Sequence, residues 1–167
     1  ALKEQLSGKA PGARLVRTGC MGSCYAEVMM ELERKDSTPA IYSGVTPDKV
    51  AGILDSYLGG DVGGAYALRS KTGTMKGEGG VPLLGELPFF KHQERDAIKS
   101  CGVIDPKSIE EYIIAGGYAA LTRALKEMTP EQVIDEVSRA GLRGRGGAGF
   151  PAGLKWKLCR QVPGKTK

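Results

Sequence analysis

Residues 141–156 read GLRGRGGAGFPAGLKW, with glycine at six of these positions. Good helix sequence flanks the stretch. Thr129-Pro130 opens PEQVIDEVSRA, where Val133, Ile134 and Val137 share a face, and LKWKLCRQ follows from Leu154. A dense glycine run of this kind suits a backbone cradle, because glycine lets main-chain N–H groups approach a ligand closely. The helix that begins just after it adds partial positive charge. Gly144, Gly146 and Gly149 satisfy G-x-G-x-x-G, but a helix precedes them and no acidic residue follows to hold a ribose. Both features argue against a Rossmann unit. Nor is this a P-loop, since Gly153 is followed by Leu154 and Lys155 with no GK[ST].

Charge concentrates in the same region. No acidic residue follows Glu136, while Arg139, Arg143, Arg145, Lys155, Lys157, Arg160, Lys165 and Lys167 give +8. The rest of the chain is therefore acidic, within a net charge of +5. A basic, glycine-rich segment suits a phosphate or dinucleotide; the plainer alternative is a solvated basic tail. RGRGG at 143–147 occurs once and between helices, which argues against a nucleic-acid-binding tract.

The chain has 167 residues, 41% of them apolar, enough for one ordinary domain or two small ones. No apolar run approaches the roughly 20 residues of a membrane span, so no direct membrane insertion is expected. One histidine and 6% aromatics argue against His-ligated metal sites and an aromatic nucleic-acid platform. Of the 25 glycines, nine lie between Gly59 and Gly85, in a stretch that reads as a linker.

Before that linker the pattern is α/β. Residues 2–6 read as the end of a helix, and 14–18, 25–32 and 40–43 as strands. Thr46-Pro47 opens a helix whose Val50, Ile53, Leu54 and Tyr57 follow the helical period, ended by Gly59-Gly60. Met29 and Met30 read as packing residues of a strand. After the linker, helices are expected over 89–100, with His92 exposed, and from Asp105-Pro106 through Ala115. Another covers YAALTRALKEM, with Leu121, Leu125 and Met128 on one face. The expected organisation is an α/β unit at 1–62, a linker at 63–88 and a mainly helical part at 89–167.

Cys20 and Cys24 lie in TGCMGSCYAEV. This C-x₃-C spacing, with Gly19 and Gly22 free to curl the backbone, can place two thiolates on one iron, half of a Cys₄ site. Core thiols, a redox disulfide and half of a zinc site fit the spacing as well. Cys101 and Cys159 form no second close pair in sequence and read as core or partner-facing thiols.

Two family resemblances sharpen these readings. TGCMGSCYAEVMMEL, a short strand, VTPDKVAGILDSYL and GGDV together resemble the second half of thioredoxin-like [2Fe–2S] ferredoxin domains. That resemblance implies Cys20 and Cys24 as cluster ligands, with the other two cysteines upstream of Ala1. Ala26-Glu27 stands where members usually have Gly-Pro. The second, GGYAALTRALKEMTPEQVIDEVSRAGLRGRGGAGFPAGLKW, closely resembles the NADH-binding flavoprotein subunit of NADH:quinone oxidoreductase. It equally resembles the diaphorase subunits of NAD-linked, often electron-bifurcating, hydrogenases and formate dehydrogenases. LPFFKHQERDAIKSCGVIDPKSIEEYI looks most like the latter group, where a ferredoxin-like domain is fused in front.

The second resemblance implies a cofactor site for FMN and NAD(H) at Gly144, Arg145, Gly146, Gly147, Gly149, Phe150, Gly153 and Lys155. Gly144–Gly149 would lie against FMN and the NADH pyrophosphate, Phe150 would stack on a ring, and Lys155 would contact the flavin. Core packing is the plain alternative for Phe150, and solvation for Lys155. Leu158 stands where members often carry an aromatic. The implied whole is an NADH dehydrogenase that passes hydride to FMN and single electrons through iron–sulfur clusters to redox partner subunits. NADP in place of NAD and the terminal acceptor stay open. A docking module without a cluster is the alternative reading, and a thiol–disulfide protein a third. The chain reads as a fragment of a larger subunit, inactive by itself, from a reducing cytoplasm or the cytoplasmic face of a membrane.

Overall fold

The computed structural model describes residues 2–70 and 77–164. The chain forms two compact units, Ala1–Ile109 and Glu110–Lys167.

The first unit is built on a small antiparallel sheet of three strands, β1 (Met30–Leu32), β2 (Ala40–Tyr42) and β3 (Ala67–Leu68), in that spatial order. Met30 pairs with Tyr42, Glu31 with Ile41, and Ala40 with Leu68. Strand alternation then gives the sheet two apolar faces. On one, Ala40, Tyr42 and Leu68 pack with Val50, Leu54 and Tyr57 of helix α2 (Val50–Leu58). Helix α1 (Leu2–Lys9) adds Leu2 and Leu6 to this core, and Lys9 pairs with Asp55 of α2. On the other face, Ile41 packs with Met21 and Phe90, flanked by Met29, Tyr66, Leu84 and Phe89. Ile41 is fully buried between the two layers.

The strand at 40–43 and the helix end at Gly59-Gly60 form as expected, the strand over Ala40–Tyr42; the helix runs over Val50–Leu58 and does not open at Thr46-Pro47, because Pro47–Lys49 form a turn and Lys49 stands at the helix start. Three other expectations are corrected. Residues 14–18 form no strand; Leu15 and Val16 are exposed and, among the described residues, no strand pairs with them. Only Met30–Leu32 of the expected 25–32 strand is extended and paired, because Cys24–Ala26 winds into one 3-10 turn. Residues 89–100 form turns in place of a helix. Phe89 and Phe90 both enter the second core and meet edge to face at 4.9 Å. On a helix, consecutive residues diverge by about 100° and could not both do so. His92 is exposed as expected, though not on a helix.

Residues 71–76, within the expected linker, lie outside the described residues. Ala67 and Leu68 nevertheless sit fully buried in β3, and Val81 joins the first core.

The second unit contains α3 (Ile109–Ile114, which begins at the last residue of the first), α4 (Ala119–Glu127), α5 (Pro130–Arg139) and α6 (Ala152–Gln161). Thr129 caps α5 as its sequence indicates: its hydroxyl accepts from the Gln132 amide at 3.2 Å. The Gln132 side chain in turn accepts from the Thr129 amide at 2.8 Å. This reciprocal pair satisfies two otherwise open donors at the helix start. Gly141, with φ of 64°, ends the segment after α5. Helices α5 and α6 pack at close range, with Gly153 of α6 buried against Ser138 of α5. A Cβ at Gly153 would stand 2.7 Å from the Ser138 Cα, so the crossing requires glycine. Val133, Ile134 and Val137 are half-buried, while Leu121 and Leu125 on α4 stay exposed.

Candidate functional site

Each unit carries one cluster of the residues singled out from sequence. In the first, Cys20 and Cys24 lie on an exposed loop pinned from beneath. Met21, between them in sequence, is buried against Ile41 and Phe90, and Ser23 is fully buried with its hydroxyl donating to the Met29 sulfur at 3.3 Å. With these two side chains directed inward, the flanking cysteines are left at the surface, their Sγ atoms 3.9 Å apart. Gly22, at φ of 90°, turns the loop so that its amide donates to the Cys20 sulfur at 3.2 Å. Such a conformation is costly for any residue with a Cβ.

Glu27, which the cysteine spacing alone does not mark, completes this cluster. Its carboxylate and the two thiols lie within 4.8 Å of one another. The cause is the 3-10 turn at Cys24–Ala26, since side chains three apart eclipse in that helix. The signal was present in the sequence as the departure from Gly-Pro at Ala26-Glu27, but the turn type that makes it matter was not. The Cys20 thiol is held above its ordinary value, mainly by its hydrogen bond to Glu27 and against the lowering effect of the Gly22 amide.

Two further features surround the loop. A cavity of about 310 Å³ opens beside Cys20 and Glu27, reaching Thr18, Glu31, Ile41 and Gly102. Arg69 ties its wall together: the guanidinium pairs with both carboxylate oxygens of Glu31 at 2.6 and 2.7 Å and donates to the Gly102 carbonyl at 3.3 Å. Gly102 fits against Met21, and its neighbour Cys101 lies over Gly19. Cys101 thus approaches the loop backbone but does not join the Cys20–Cys24–Glu27 group. No local pattern announces this long-range placement. Tyr25, next to Cys24, shares a hydrogen bond with Tyr66 at 2.9 Å, which pushes the Tyr66 hydroxyl up to about 12.

In the second unit, the glycine stretch forms a closed loop between α5 and α6. Its ends are tied by the Gly144 amide to the Phe150 carbonyl at 2.8 Å and the Ala152 amide to the Leu142 carbonyl at 2.9 Å. Arg143 donates through Nε to the Gly149 carbonyl at 2.9 Å, and Arg145 through Nη1 to the Arg143 carbonyl at 2.5 Å. Gly149 takes φ of 54° and closes a turn onto the Gly146 carbonyl. Among the described residues, the amides of Gly146, Gly147 and Ala148 carry no hydrogen bond. These glycines face open space, for a Cβ added at Gly146 or Gly147 would meet nothing within 4 Å. Phe150 is 46% exposed and Lys155 is exposed on the first turn of α6. The structure thus brings Gly144, Arg145, Gly146, Gly147, Gly149 and Phe150 into one loop. Gly153 instead sits in the α5–α6 crossing, beneath it. Cys159 is exposed on α6.

No protein-family model matches the chain. It is 58% identical over 69 residues to the NADP-reducing hydrogenase subunit HndC of Solidesulfovibrio fructosivorans, covering 41% of this chain and 14% of the relative. It is 60% identical over 57 residues to an NADH-quinone oxidoreductase subunit of Aquifex aeolicus, covering 34% of this chain and 13% of the relative. The chain is a relative of these subunits. The corresponding NADH-quinone oxidoreductase subunit of Escherichia coli is 45% identical over 53 residues, covering 32% of this chain and 12% of the relative. The chain therefore spans about one-seventh of the length of the curated relatives it matches. Among the described residues, no helix is long and apolar enough to cross a membrane.

Proposed function

We propose that the chain is part of an NADH dehydrogenase-type subunit, and that the loop from Gly144 to Phe150 is its flavin and dinucleotide cradle. The observation that carries this reading is the loop itself: three unpaired amides on glycine-rich backbone, open to solvent and followed by the N-terminus of α6. Such a surface suits the phosphates of FMN and the NADH pyrophosphate. The kinship with the NADH-quinone oxidoreductase subunits and HndC supports the same chemistry.

Within that reading the residues divide the work. Gly146 and Gly147 admit a ligand to the backbone, and Gly149 closes the turn that aims the amides outward. Arg143 and Arg145 stiffen the loop through their carbonyl contacts, and their remaining donors, with Lys155, offset phosphate charge. Phe150 offers an exposed π face for a ring. Bound FMN would take a hydride from NADH and release electrons singly to iron–sulfur centres. Cys20 and Cys24 fit one end of such a centre: two thiolates 3.9 Å apart can share one metal atom. The remaining ligands, the thioredoxin-like assignment of the first unit, the redox partner subunits and a cytoplasmic location belong to this proposal as well.

The test is anaerobic addition of NADH to the full-length subunit that carries this sequence, purified with FMN. Bleaching of the visible flavin band is expected. A flavin that NADH leaves oxidised, while dithionite bleaches it, would contradict the activity.

A further inference from the structure

We propose that the Glu27 carboxylate lowers the reduction potential of the iron–sulfur centre assigned above to Cys20 and Cys24, an inference that rests on that assignment. A carboxylate oxygen of Glu27 and the two Sγ atoms lie within 4.8 Å of one another, so a negative charge stands beside both ligand sulfurs without being a ligand itself. Reduction adds one electron to the centre, supplied by the reduced flavin of the proposed activity, and breaks no bond. A neighbouring anion disfavours that added charge, and local charge is one of the factors that set such potentials.

Two features keep this charge in place and uncompensated. The backbone around Glu27 is tied on both sides: the Glu27 amide donates to the Cys24 carbonyl at 3.3 Å, the Gly44 amide to the Ala26 carbonyl at 3.1 Å, and the Val45 amide to the Val28 carbonyl at 2.9 Å. Among the described residues, no lysine or arginine pairs with Glu27. Glu31, the other carboxylate lining the cavity beside Cys20, is instead neutralised by the two-point contact with Arg69. Glu27 is thus the one carboxylate of that cavity without a cation. The Gly22 amide acts in the opposite sense, since its donation to the Cys20 sulfur at 3.2 Å favours added electron density there. A full charge outweighs that single dipole. Because Glu27 and both cysteines are exposed, salt screens the effect.

The test is a redox titration of the full-length subunit that carries this sequence, followed by EPR, with the relevant signal identified as the one altered or lost in Cys24→Ser. Glu27→Gln, nearly the same in shape, should leave iron content and the g-values of that signal unchanged. Its midpoint should rise by roughly a tenfold change in the reduced-to-oxidised ratio, about 59 mV for a one-electron couple. Glu27→Asp, which keeps the charge, should return most of the shift, and the gap between Glu27→Gln and the native subunit should narrow at high salt. An unmoved or lowered midpoint in Glu27→Gln overturns the inference alone, as does an equal rise in Glu27→Asp. Loss of the signal in Glu27→Gln also overturns it, because Glu27 would then be needed for assembly of the centre. Iron–sulfur signals that Cys24→Ser leaves untouched would overturn the cluster assignment itself, and this inference with it.

Discussion

Gly153 shows how one residue fixes the position of a loop it does not belong to. Its missing side chain lets α6 approach the backbone of α5, and the glycine loop spans the gap between these helices. Gly153→Ala is expected to destabilise the second unit by about 1–3 kcal/mol, because the Ser138 backbone cannot yield as a side chain would. Chemical denaturation followed by circular dichroism measures this. Gly147→Ala should be near neutral in the same assay, since an added Cβ there meets nothing. Sequence marked both glycines for one cofactor role; only the helix crossing separates them. Glu27 is the converse case. Its position was visible as a departure from a family pattern, but its approach to the thiols depends on a 3-10 turn that strand-like YAEVMMEL did not suggest.

At the scale of elements, caps and turns were the most legible features. Thr129-Pro130, Gly59-Gly60 and the helical period of α2 each produce the element expected, since these signals act through a few neighbouring residues. Thr129→Ala is expected to cost α5 about 1 kcal/mol, read as a lowered melting temperature. Glu131, on the first turn of α5, has its carboxyl held below the ordinary value of 4.5 by its own backbone amide and then by Arg160 of α6. Its charged form therefore stabilises the fold above the unfolded pKa, and that contribution disappears as pH falls through the lower folded value. Glu131→Gln should melt below the native chain at neutral pH and converge with it in acid. A constant difference across the titration would contradict the pairing. The strands were harder to read. RLVRT and YAEVMMEL have β-prone composition, but a strand exists only where a partner strand reaches it, and β2 reaches only Met30–Leu32.

At the scale of the whole molecule, the 25 glycines and the net charge of +5 matter through where they fall. Aromatic neighbours and long-range contacts gave the least sequence signal: Arg69 joins Glu31 to the Gly102 carbonyl, tying residues 31, 69 and 102 around the Cys20–Cys24 loop. Arg69→Met should loosen that loop, lowering stability by roughly 1 kcal/mol for a half-exposed bidentate pair, with Glu31→Gln giving a non-additive loss in a double-mutant cycle. On the proposed function, the Gly144–Phe150 loop holds FMN and dinucleotide through the amides of Gly146, Gly147 and Ala148. The most direct measurement is FMN content and affinity in the full-length subunit carrying Gly147→Val. Because a Cβ at this position meets nothing within 4 Å in the chain itself, the fold should persist while FMN affinity falls roughly tenfold, about 1.4 kcal/mol. Unaltered FMN affinity in a folded Gly147→Val subunit would place the flavin elsewhere.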